Sequence, residues 1–437
     1  MNGKLVLWSI TVGLGGFLFG LDTAVISGAE KDIETLWHLD KLNLGFAVAM
    51  ALYGTVFGAA FGAVPADKFG RKKTLLWIGI LFFISAVGAA VAQDVNTFMV
   101  FRFIGGLSIG ASSVVAPVYI SEIAPPQYRG RMVISFQANI VIGILIAYVS
   151  NYLLNGIGEN DWRWMLGIVA FPSLIFSIMV LFTPESPRWL LLNKGDEAAA
   201  RQVLAITEPS VDRAIAEMKE SAKGDVKGAN EFIFSKKYSL PLTLAFLFAF
   251  FNQLSGINAI IYYAPRIFEM MGLGKDGALL STSGIGLVNL IFTILGWYLI
   301  DRVGRKTLMY IGSVGYIVSL ALIAFAFSTG GHGLTTFYIF AFIASHAVGQ
   351  GAVIWVFISE IFPNSVRASG MAWGSLTHWV FAAIIANVFP ILAEKFGGAP
   401  IFAFFSFMMI LQLLYVWRMM PETKGVSLED LQKRLVR

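Results

Sequence analysis

Long apolar segments dominate this amino-acid sequence. A membrane-spanning helix needs about 20 mostly apolar residues, and the 437-residue chain holds roughly twelve stretches of that kind. Only 14% of the residues are charged, against about 25% in an ordinary soluble domain. The sequence therefore predicts a polytopic membrane protein. The predicted spans are residues 7–29, 43–65, 74–92, 98–121, 131–155, 163–183, 240–271, 278–300, 306–328, 335–359, 368–393 and 400–420.

The spans are predicted to be helices, which gives an all-α membrane protein. Strands of a membrane β-barrel would be about ten residues long with alternating polar positions, whereas residues 75–92 form one long apolar run. The first apolar segment exceeds the core of a signal peptide and carries Asp22 in its middle, so we expect an uncleaved span. The chain has no cysteine, which excludes disulfides, thiolate catalysis and cysteine metal sites.

Basic residues lie mainly in alternate loops. If both termini are cytoplasmic, most of the 32 Lys and Arg residues fall in inner loops and tails, as the positive-inside rule requires. We therefore expect a multi-pass protein of the cell inner (plasma) membrane with both termini in the cytoplasm. The formal net charge of +5 then reports orientation, and no nucleic-acid partner is predicted.

An internal repeat divides the chain in two. The segment Asp67–Lys72 recurs as Asp301–Lys306, and Tyr119–Ile123 recurs as Phe357–Ile361, at a nearly constant interval. Matched pairs of this kind indicate two homologous six-span halves. The charged stretch between the halves predicts short amphipathic cytoplasmic helices, which either bridge two moving bodies or form a solvated linker. The predicted domains are a six-helix half at residues 1–189, a linker at 190–237, and a second six-helix half with a short cytoplasmic tail at 238–437.

Two charges are predicted inside the spans, both in the first half. Asp22 lies within span one and Arg102 within span four, while the repeat places Asn258 and Phe340 at the matching positions of the second half. A charge at the bilayer centre costs about 2.5–3.5 kcal/mol on insertion scales, so we expect these two to pair. A carboxylate beside a movable guanidinium can alternate between protonated and ionised forms, as a proton carrier must. The other interpretation is a permanent ion pair that orders the bundle.

Amides and aromatic rings are also present in the spans. A sugar offers hydroxyls, which amides bind in a bidentate manner, and apolar C–H faces, which stack on an indole or phenyl ring. Gly256 allows a break in span seven that would bring Gln253 and Asn258 to one cavity. For the aromatic residues the alternative is core packing or an interfacial belt. The candidate sugar-binding residues are Gln137, Asn252, Gln253, Asn258, Tyr262, Asn289, Trp355, His378 and Trp379.

Several motifs resemble those of a known family. They are the paired Asp-x-x-Gly-Arg-Lys loops, two Glu residues each followed seven residues later by Arg, and the segments Pro184–Trp189, Pro421–Gly425 and Gln253–Asn258. With these motifs the chain resembles the sugar porter branch of the major facilitator superfamily over essentially its whole length. Within that branch it is similar to bacterial proton-coupled pentose and hexose symporters. The resemblance implies twelve transmembrane helices in two pseudo-symmetric halves.

The resemblance also implies roles for individual residues. Proton-coupled members carry an acid at the position of Asp22, and the candidate sugar-binding residues match sugar-binding positions of the family. The chain departs from the family pattern at His378, where an amide is usual, and at Gly351–Ala352, where Gly-Pro is usual. In the family, loop charges lock the halves together at the inner face. This inner-face latch is predicted to comprise Asp67, Arg71, Glu122, Arg129, Glu185, Arg188, Asp301, Arg305, Glu360, Arg367 and Glu422.

We therefore expect a proton-coupled symporter of a pentose or hexose that works by alternating access. Two alternatives stay open: an uncoupled facilitative uniporter, in which Asp22 is only structural, and a sugar sensor that does not transport. We recognise no nucleophile, metal cluster or phosphate-binding loop in the sequence, so an enzyme, a cofactor and a metal site are not expected. The expected partners are a monosaccharide, a proton and the lipid bilayer, and we expect the monomer to be functional.

Overall fold

The protein folds into helices joined by short connections. A computed structural model describes residues 3–124, 126–208, 210–228, 232–330, 333–363, 365–426 and 428–436. For residues 5, 126–131, 133, 134, 221–228, 428, 429 and 432 it describes the backbone only. No strand occurs among the described residues. In the same part of the chain, twelve segments are long and apolar enough to cross a membrane, which agrees with the predicted number of spans.

The helices before the charged linker form the first six spans. They are α1 (Gly3–Leu36), α2 (Lys41–Phe61), α3 (Ala63–Phe69), α4 (Arg71–Val91), α5 (Val95–Ile123), α6 (Pro126–Leu154), α7 (Asp161–Gly167) and α8 (Ala170–Leu181). The helix α1 continues past its predicted end at residue 29 and carries an acidic and basic segment in its last turns.

The helices after span six comprise the linker and the last six spans. They are α9 (Pro187–Leu192), α10 (Glu197–Thr207), α11 (Val211–Gly228), a 3-10 turn (Lys236–Tyr238), α12 (Ser239–Leu254), α13 (Ile257–Met270), α14 (Lys275–Val303), α15 (Arg305–Thr329), α16 (Thr335–Val348), α17 (Gln350–Ile361), α18 (Arg367–Phe396), α19 (Gly398–Arg418) and α20 (Leu428–Leu435). Spans seven and ten each consist of two helices.

Contacts between Cα atoms divide the chain into two compact units. Unit 1 comprises Met1–Thr23, Met50–Ile144 and Leu166–Asn230, and unit 2 comprises Ala24–Ala49, Leu145–Met165 and Glu231–Arg437. Unit 2 therefore includes the end of α1, the start of α2 and the end of α6. These contact units differ from the predicted domains, whose boundaries stay a prediction.

Within unit 1, α2 and α5 approach each other closely because glycines line their contact. A Cβ on Gly54 would lie 2.2 Å from Phe103 O, and one on Gly58 would lie 2.3 Å from Leu107 O. Small residues at such intervals let membrane helices pack backbone to backbone. The helix α4 packs against both α5 and α8, so the contacts of α5 with α2 and α4 hold Arg102 in the interior.

The linker forms the short helices that its composition predicts, namely α9, α10 and α11 in unit 1. Their apolar faces meet in a small cluster that includes Leu191, Leu204 and Ile215. The indole Nε1 of Trp189 donates to the backbone O of Asp67 at 2.7 Å. The linker helices are therefore attached to the first loop motif.

Within unit 2, α15 packs on α16 and α19, and α12 packs on α18. The helix α14 has 29 residues, about 43 Å at 1.5 Å per residue, so its ends lie on opposite faces of the unit. We call the face near Val303, beside the second loop motif, the motif face. The face near Lys275 is called the opposite face.

Candidate transport site

A buried ion pair joins α1 to α5 in unit 1. Arg102 donates from Nη1 to Asp22 Oδ1 at 2.9 Å and from Nη2 to the backbone O of the same residue at 3.2 Å. Both side chains are 2% exposed. Among the described residues, Asp22 Oδ2 and Arg102 Nε have no hydrogen-bond partner. The pairing expected from the sequence is present, and it leaves one carboxylate oxygen unbonded.

Gly105 provides room beside that oxygen. A Cβ at this position would lie 3.4 Å from Asp22 Oδ2 and 2.4 Å from Ser85 Oγ. The hydroxyl of Ser85 donates instead to the backbone O of Phe101, at 2.7 Å. A carboxyl group accepts through one oxygen and donates through the other once it is protonated. Oδ1 of Asp22 thus contacts the guanidinium, while Oδ2 lies beside the space at Gly105.

Span seven is broken at the glycine that the sequence singles out. The helix α12 ends at Leu254, α13 begins at Ile257, and Gly256 between them has a φ of 83°. This left-handed conformation favours glycine, and a Cβ here would lie 2.5 Å from the ring of Phe405. Backbone conformation and packing thus both fix the break.

Side chains at the break form a chain of amide hydrogen bonds. Asn258 Nδ2 donates to Gln253 Oε1 at 2.6 Å, and Gln253 Nε2 donates to Asn252 Oδ1 at 2.9 Å. The same Nε2 lies 3.1 Å from Nδ1 of His378. The three amide side chains are buried. Four predicted sugar-binding residues are therefore in direct contact with one another.

Aromatic rings surround His378. The ring centroid of Trp355 on α17 lies 5.1 Å from that of His378, and the centroid of Trp379 lies 4.8 Å from it. Tyr262 on α13 is fully buried. Indole faces are large apolar surfaces with a polar edge. Amides and rings thus lie side by side, and a sugar needs both kinds of contact.

Two predicted sugar-binding residues lie elsewhere in the described chain. Asn289 is half-buried on α14, where its Oδ1 accepts from Thr293 Oγ1 at 3.4 Å. Gln137 is half-buried on α6 in unit 1. Their part in sugar binding stays a prediction.

Arg71 is the centre of the charged cluster on the motif side of unit 1. Its Nε and Nη2 donate to the two oxygens of Glu122 at 2.9 and 3.1 Å, a bidentate pair, and its Nη1 lies 3.0 Å from Asp67 Oδ1. Glu185 accepts from the backbone N–H of Arg71 at 2.8 Å and of Lys72 at 3.1 Å. The start of a helix favours an anion. Burial nevertheless raises the pKa of Glu185, against these backbone hydrogen bonds.

The repeat reproduces this cluster on the motif face of unit 2. Arg305 Nη2 donates to Glu360 Oε1 at 2.9 Å and its Nη1 to Asp301 Oδ1 at 3.0 Å. Glu422 accepts from the backbone N–H of Arg305 at 3.0 Å and of Lys306 at 2.9 Å. Burial acts to raise the pKa of Glu422, but its backbone hydrogen bonds outweigh burial and hold that pKa below its ordinary value. The two loop motifs therefore share contacts as well as sequence.

The three other arginines of the predicted latch are Arg129, Arg188 and Arg367. Arg367 on α18 has Nε and Nη2 buried with no hydrogen-bond partner in the described part of the chain. Arg188 lies on α9. The side chain of Arg129 lies outside the described residues. The latch role of the whole set stays a prediction.

The family of the chain follows from a comparison with known proteins. The model of the family described as "Sugar (and other) transporter" matches residues 8–435. The chain belongs to this sugar transporter family. The predicted family is therefore confirmed, and this protein is a transporter and not an enzyme.

Individual relatives of this transporter are similar over their whole length. The arabinose-proton symporter of Bacillus subtilis (strain 168) is 37% identical, over 99% of this chain and 95% of that protein. The D-xylose-proton symporter of Escherichia coli (strain K12) is 33% identical, over 98% of this chain and 95% of that protein. The inward-open structure of the xylose transporter XylE from E. coli matches with a TM-score of 0.87 and 31% identity, over 99% and 100% of the two chains. This likeness confirms the major facilitator fold.

The sugar transporter carries a further charged cluster, on the opposite face of unit 2, that the sequence reasoning missed. Arg266 on α13 donates from Nε to the two oxygens of Glu30 at 2.9 and 3.2 Å and from Nη2 to Glu30 Oε2 at 2.5 Å. The Nη2 group also pairs with Glu34. Glu30 is completely buried. Around this pair, further ion pairs join Lys41 to Glu34, Lys31 to Glu269 and Lys275 to Asp32.

Two signals in the sequence could have revealed this cluster. Glu30 and Glu34 are four residues apart, so they share one face of a helix that continues past residue 29. Arg266 lies inside the predicted span 240–271. The prediction that intramembrane charges belong to the first half alone is wrong, because Arg266 is in a span-forming helix of the second half.

A buried polar network in unit 2 was also missed. The hydroxyl of Tyr316 on α15 lies 2.5 Å from His346 Nδ1 and donates to Gln350 Oε1 at 3.1 Å. Gln350 donates to Gln412 on α19, and Gln412 donates to Ser313 Oγ at 2.8 Å. Each of these residues lies on a different turn or helix, so sequence spacing alone gives no sign that they meet.

Proposed function

We propose that this sugar transporter is a proton-coupled monosaccharide symporter that takes a pentose or a hexose. It works by alternating access as a monomer, in the inner (plasma) membrane with both termini in the cytoplasm. The observation that carries the proposal is the buried pair of Asp22 and Arg102, with one carboxylate oxygen unbonded among the described residues. Relatives whose names specify proton symport of arabinose and of xylose support it.

Asp22 carries the proton. Protonation on Oδ2 neutralises the carboxylate and weakens its attraction for Arg102, because only the ionised form makes a full ion pair. Each charge that moves across 100 mV releases about 2.3 kcal/mol. That free energy supports roughly a fifty-fold concentration gradient of sugar, since about 1.4 kcal/mol corresponds to a tenfold ratio.

The side chains at the break in span seven and the aromatic rings beside it bind the sugar. The hydrogen bonds from Asn258 to Gln253 and from Gln253 to Asn252 hold the amides in fixed orientations. A preorganised site loses less entropy when a ligand binds. Trp355 supplies the stacking surface for the C–H face of the sugar. We assign the latch of the family to the charged residues around Arg71 in unit 1 and around Arg305 in unit 2.

The test uses vesicles that contain the purified protein and a panel of radiolabelled pentoses and hexoses. With a proton gradient directed inward, we expect one or a few sugars to accumulate above the external concentration. Without the gradient, the same sugars should only equilibrate. Equal equilibration in both conditions would identify an uncoupled facilitator, and binding without any uptake would identify a sensor. Either outcome contradicts the proposal.

A further inference from the structure

Span ten is interrupted like span seven, although the family's Gly-Pro is absent. The helix α16 ends at Val348, α17 begins at Gln350, and Gly349 between them has φ −85° and ψ −102°. A Cβ on Gly349 would lie 2.8 Å from the Cα of Gly312 on α15. The interruption therefore sits where two backbones almost touch. Trp355 lies little more than one turn further along α17, so the interruption sets the direction of its indole.

The hydroxyl of Tyr316 contacts both sides of this interruption. His346 lies before the interruption and Gln350 directly after it, and both meet the hydroxyl. A hydroxyl has one proton, so it donates to Gln350 and accepts from Nδ1 of His346. Tyr316 and Gln350 are completely buried, and a buried polar group that loses its partner is costly. The hydroxyl thus fixes the angle between α16 and α17.

Tyr316 also reaches the break in span seven. The hydroxyl of Tyr316 lies near the side chain of Ser255, which lies between α12 and α13. Ser255 Oγ donates to the backbone O of Asn252 at 2.6 Å and accepts from the backbone N–H of Ile257 at 3.3 Å. One buried tyrosine is therefore hydrogen-bonded across the interruption of span ten and lies beside the break of span seven.

We propose that Tyr316 is a positioning residue for sugar binding. It holds the break of span seven and the interruption of span ten in one fixed relation. The amides of Gln253 and Asn258 are thereby placed opposite the indole of Trp355. This inference rests on the proposed function, because it takes these three residues as sugar ligands.

The variant Tyr316→Phe tests the positioning role. The ring remains and keeps its packing on Phe342, whose centroid lies 5.2 Å away, so the protein should still fold. We expect the KM for sugar to rise about three- to tenfold, the effect of losing a buried hydrogen bond. The matched control is Tyr310→Phe, on the same helix. Because the amount of folded transporter does not change KM, a purely structural role would leave KM unaltered.

A double-mutant cycle with Ser255→Ala completes the test. If Tyr316 acts through Ser255, the KM of the double variant should be no higher than that of the more impaired single variant. A KM for Tyr316→Phe within twofold of wild type, or independent effects that multiply, would overturn the inference. If the unaltered protein moves no sugar at all, the proposed function fails instead.

The charged cluster of the opposite face carries a second, independent inference. Both oxygens of Glu30 and two nitrogens of Arg266 take part in the pair. A buried ion pair is favourable only when its geometry is this complete. A cavity of about 490 Å³ lies beside it, lined by charged side chains that include Lys41 and Glu394. Arg266 lines this cavity, whereas its partner Glu30 is buried and does not.

The two helices that this pair joins are those that carry the transport residues. Asp22 and Glu30 lie about 12 Å apart along α1, at 1.5 Å per residue. Asn258 and Arg266 are likewise eight residues apart on α13, which is kinked at Tyr263. The pair thus ties the helix of the proton site to the half-helix of the sugar site.

We infer that Glu30 and Arg266 form an ion-pair gate that closes the opposite face. The gate must open before a sugar from that side can reach Asn258. This inference also rests on the proposed function, but its test needs no sugar. It measures only whether a reagent can enter from the opposite face.

The absence of cysteine from the chain allows a direct test. Ser27→Cys places one thiol on α1, about one turn before Glu30, with a side chain that is buried in the unaltered protein. We expect a membrane-impermeant thiol reagent, added on the opposite face, to react slowly with the thiol introduced at position 27. Adding Arg266→Gln should speed modification about tenfold or more, because charge-assisted hydrogen bonds are lost.

Two further variants control this test. The double exchange Glu30→Arg with Arg266→Glu should restore slow modification, since it rebuilds the pair with reversed charges. Lys395→Gln, which removes an exposed cation near the end of α18, should leave the rate unchanged. Equal rates in all backgrounds would overturn the gate, as would rapid modification of the protein with an intact pair.

Discussion

The helix α1 carries two buried carboxylates that are held in different ways. Asp22 meets Arg102 through one oxygen, and its other oxygen has no hydrogen-bond partner among the described residues. Glu30 places both oxygens on Arg266. The oxygen of Asp22 that has no partner among the described residues can take one more hydrogen bond, whereas both oxygens of Glu30 are already occupied by the arginine. One helix thus holds one carboxylate with spare hydrogen-bonding capacity and another whose two oxygens are both engaged.

A difference of another kind separates the matched acids of the two loop motifs. Burial raises the pKa of Glu185 in unit 1. In the repeated position of unit 2, burial is outweighed by backbone hydrogen bonds, and the pKa of Glu422 lies below its ordinary value. At the loop motifs the acid of unit 1 is therefore the one more readily protonated. The duplicated halves have therefore kept their contacts and diverged in electrostatics.

The largest expected effect is on the free energy of unfolding, when Arg266 or Arg102 is replaced singly. Arg266→Met removes the hydrogen bonds of both Glu30 oxygens and the pairing of Glu34, so the free energy of unfolding should fall by about 3–5 kcal/mol. Arg102→Met removes the partner of only one Asp22 carboxylate oxygen, so the loss should be smaller, about 1–3 kcal/mol. Denaturant unfolding of the detergent-solubilised variants measures both values.

A matched control and a contrary result accompany this prediction. Arg213→Met removes an exposed partner of Glu217 on α11 and should change the free energy of unfolding by less than about 1 kcal/mol. Equal losses for the two buried arginines would mean that Asp22 and Glu30 are held alike. The proposed contrast between Asp22 and Glu30 would then be wrong.

The next effect concerns transport. Asp22→Asn should reduce accumulation of sugar from about fifty-fold to simple equilibration, because an amide carries no proton at this position. Exchange of labelled for unlabelled sugar should continue. The matched control Asp94→Asn changes an exposed helix cap of α5, where asparagine caps as well as aspartate. If the Asp22→Asn variant still accumulates sugar as well as the unaltered protein, a residue other than Asp22 must carry the proton.

The smallest expected effect is a difference between the two loop motifs in how the free energy of unfolding depends on pH. The folded-state pKa of Glu185 is raised, so the folded form binds a proton first and this group adds stability as the pH falls toward that pKa. The pKa of Glu422 is lowered, so its contribution is present above the ordinary pKa and is lost as the pH falls. We expect Glu185→Gln and Glu422→Gln to change the slope of unfolding free energy against pH in opposite directions. Parallel slopes would contradict the contrast.

Much of this fold could be predicted from the sequence. Twelve apolar runs gave the spans, and Gly256 gave the break in span seven, because hydropathy and backbone conformation are local properties. The contact of Asp22 with Arg102 was predictable because two lone charges in apolar helices must compensate each other. Repetition of Asp67–Lys72 as Asp301–Lys306 also indicated that the charged clusters would be matched.

The missed features depend on tertiary contacts. The run from Glu30 to Glu34 looks like a loop in a hydropathy profile, and only its partner Arg266, far along the chain, makes it part of a buried helix. Span ten is interrupted at Gly349 without the proline usual in the family, because the close approach of Gly349 to Gly312 and the Tyr316 network fix the interruption instead. The spacing of residues in the sequence does not reveal such pairings.

The most direct test of the central claim is the protonation state of Asp22 itself. Infrared difference spectra of vesicle-reconstituted protein, with and without sugar, detect a carboxylic acid by its C=O stretch. We expect a band from a protonated carboxyl that changes with sugar and pH and disappears in the Asp22→Asn variant. A carboxylate at this position that stays ionised at every pH and in the presence of every transported sugar would contradict it.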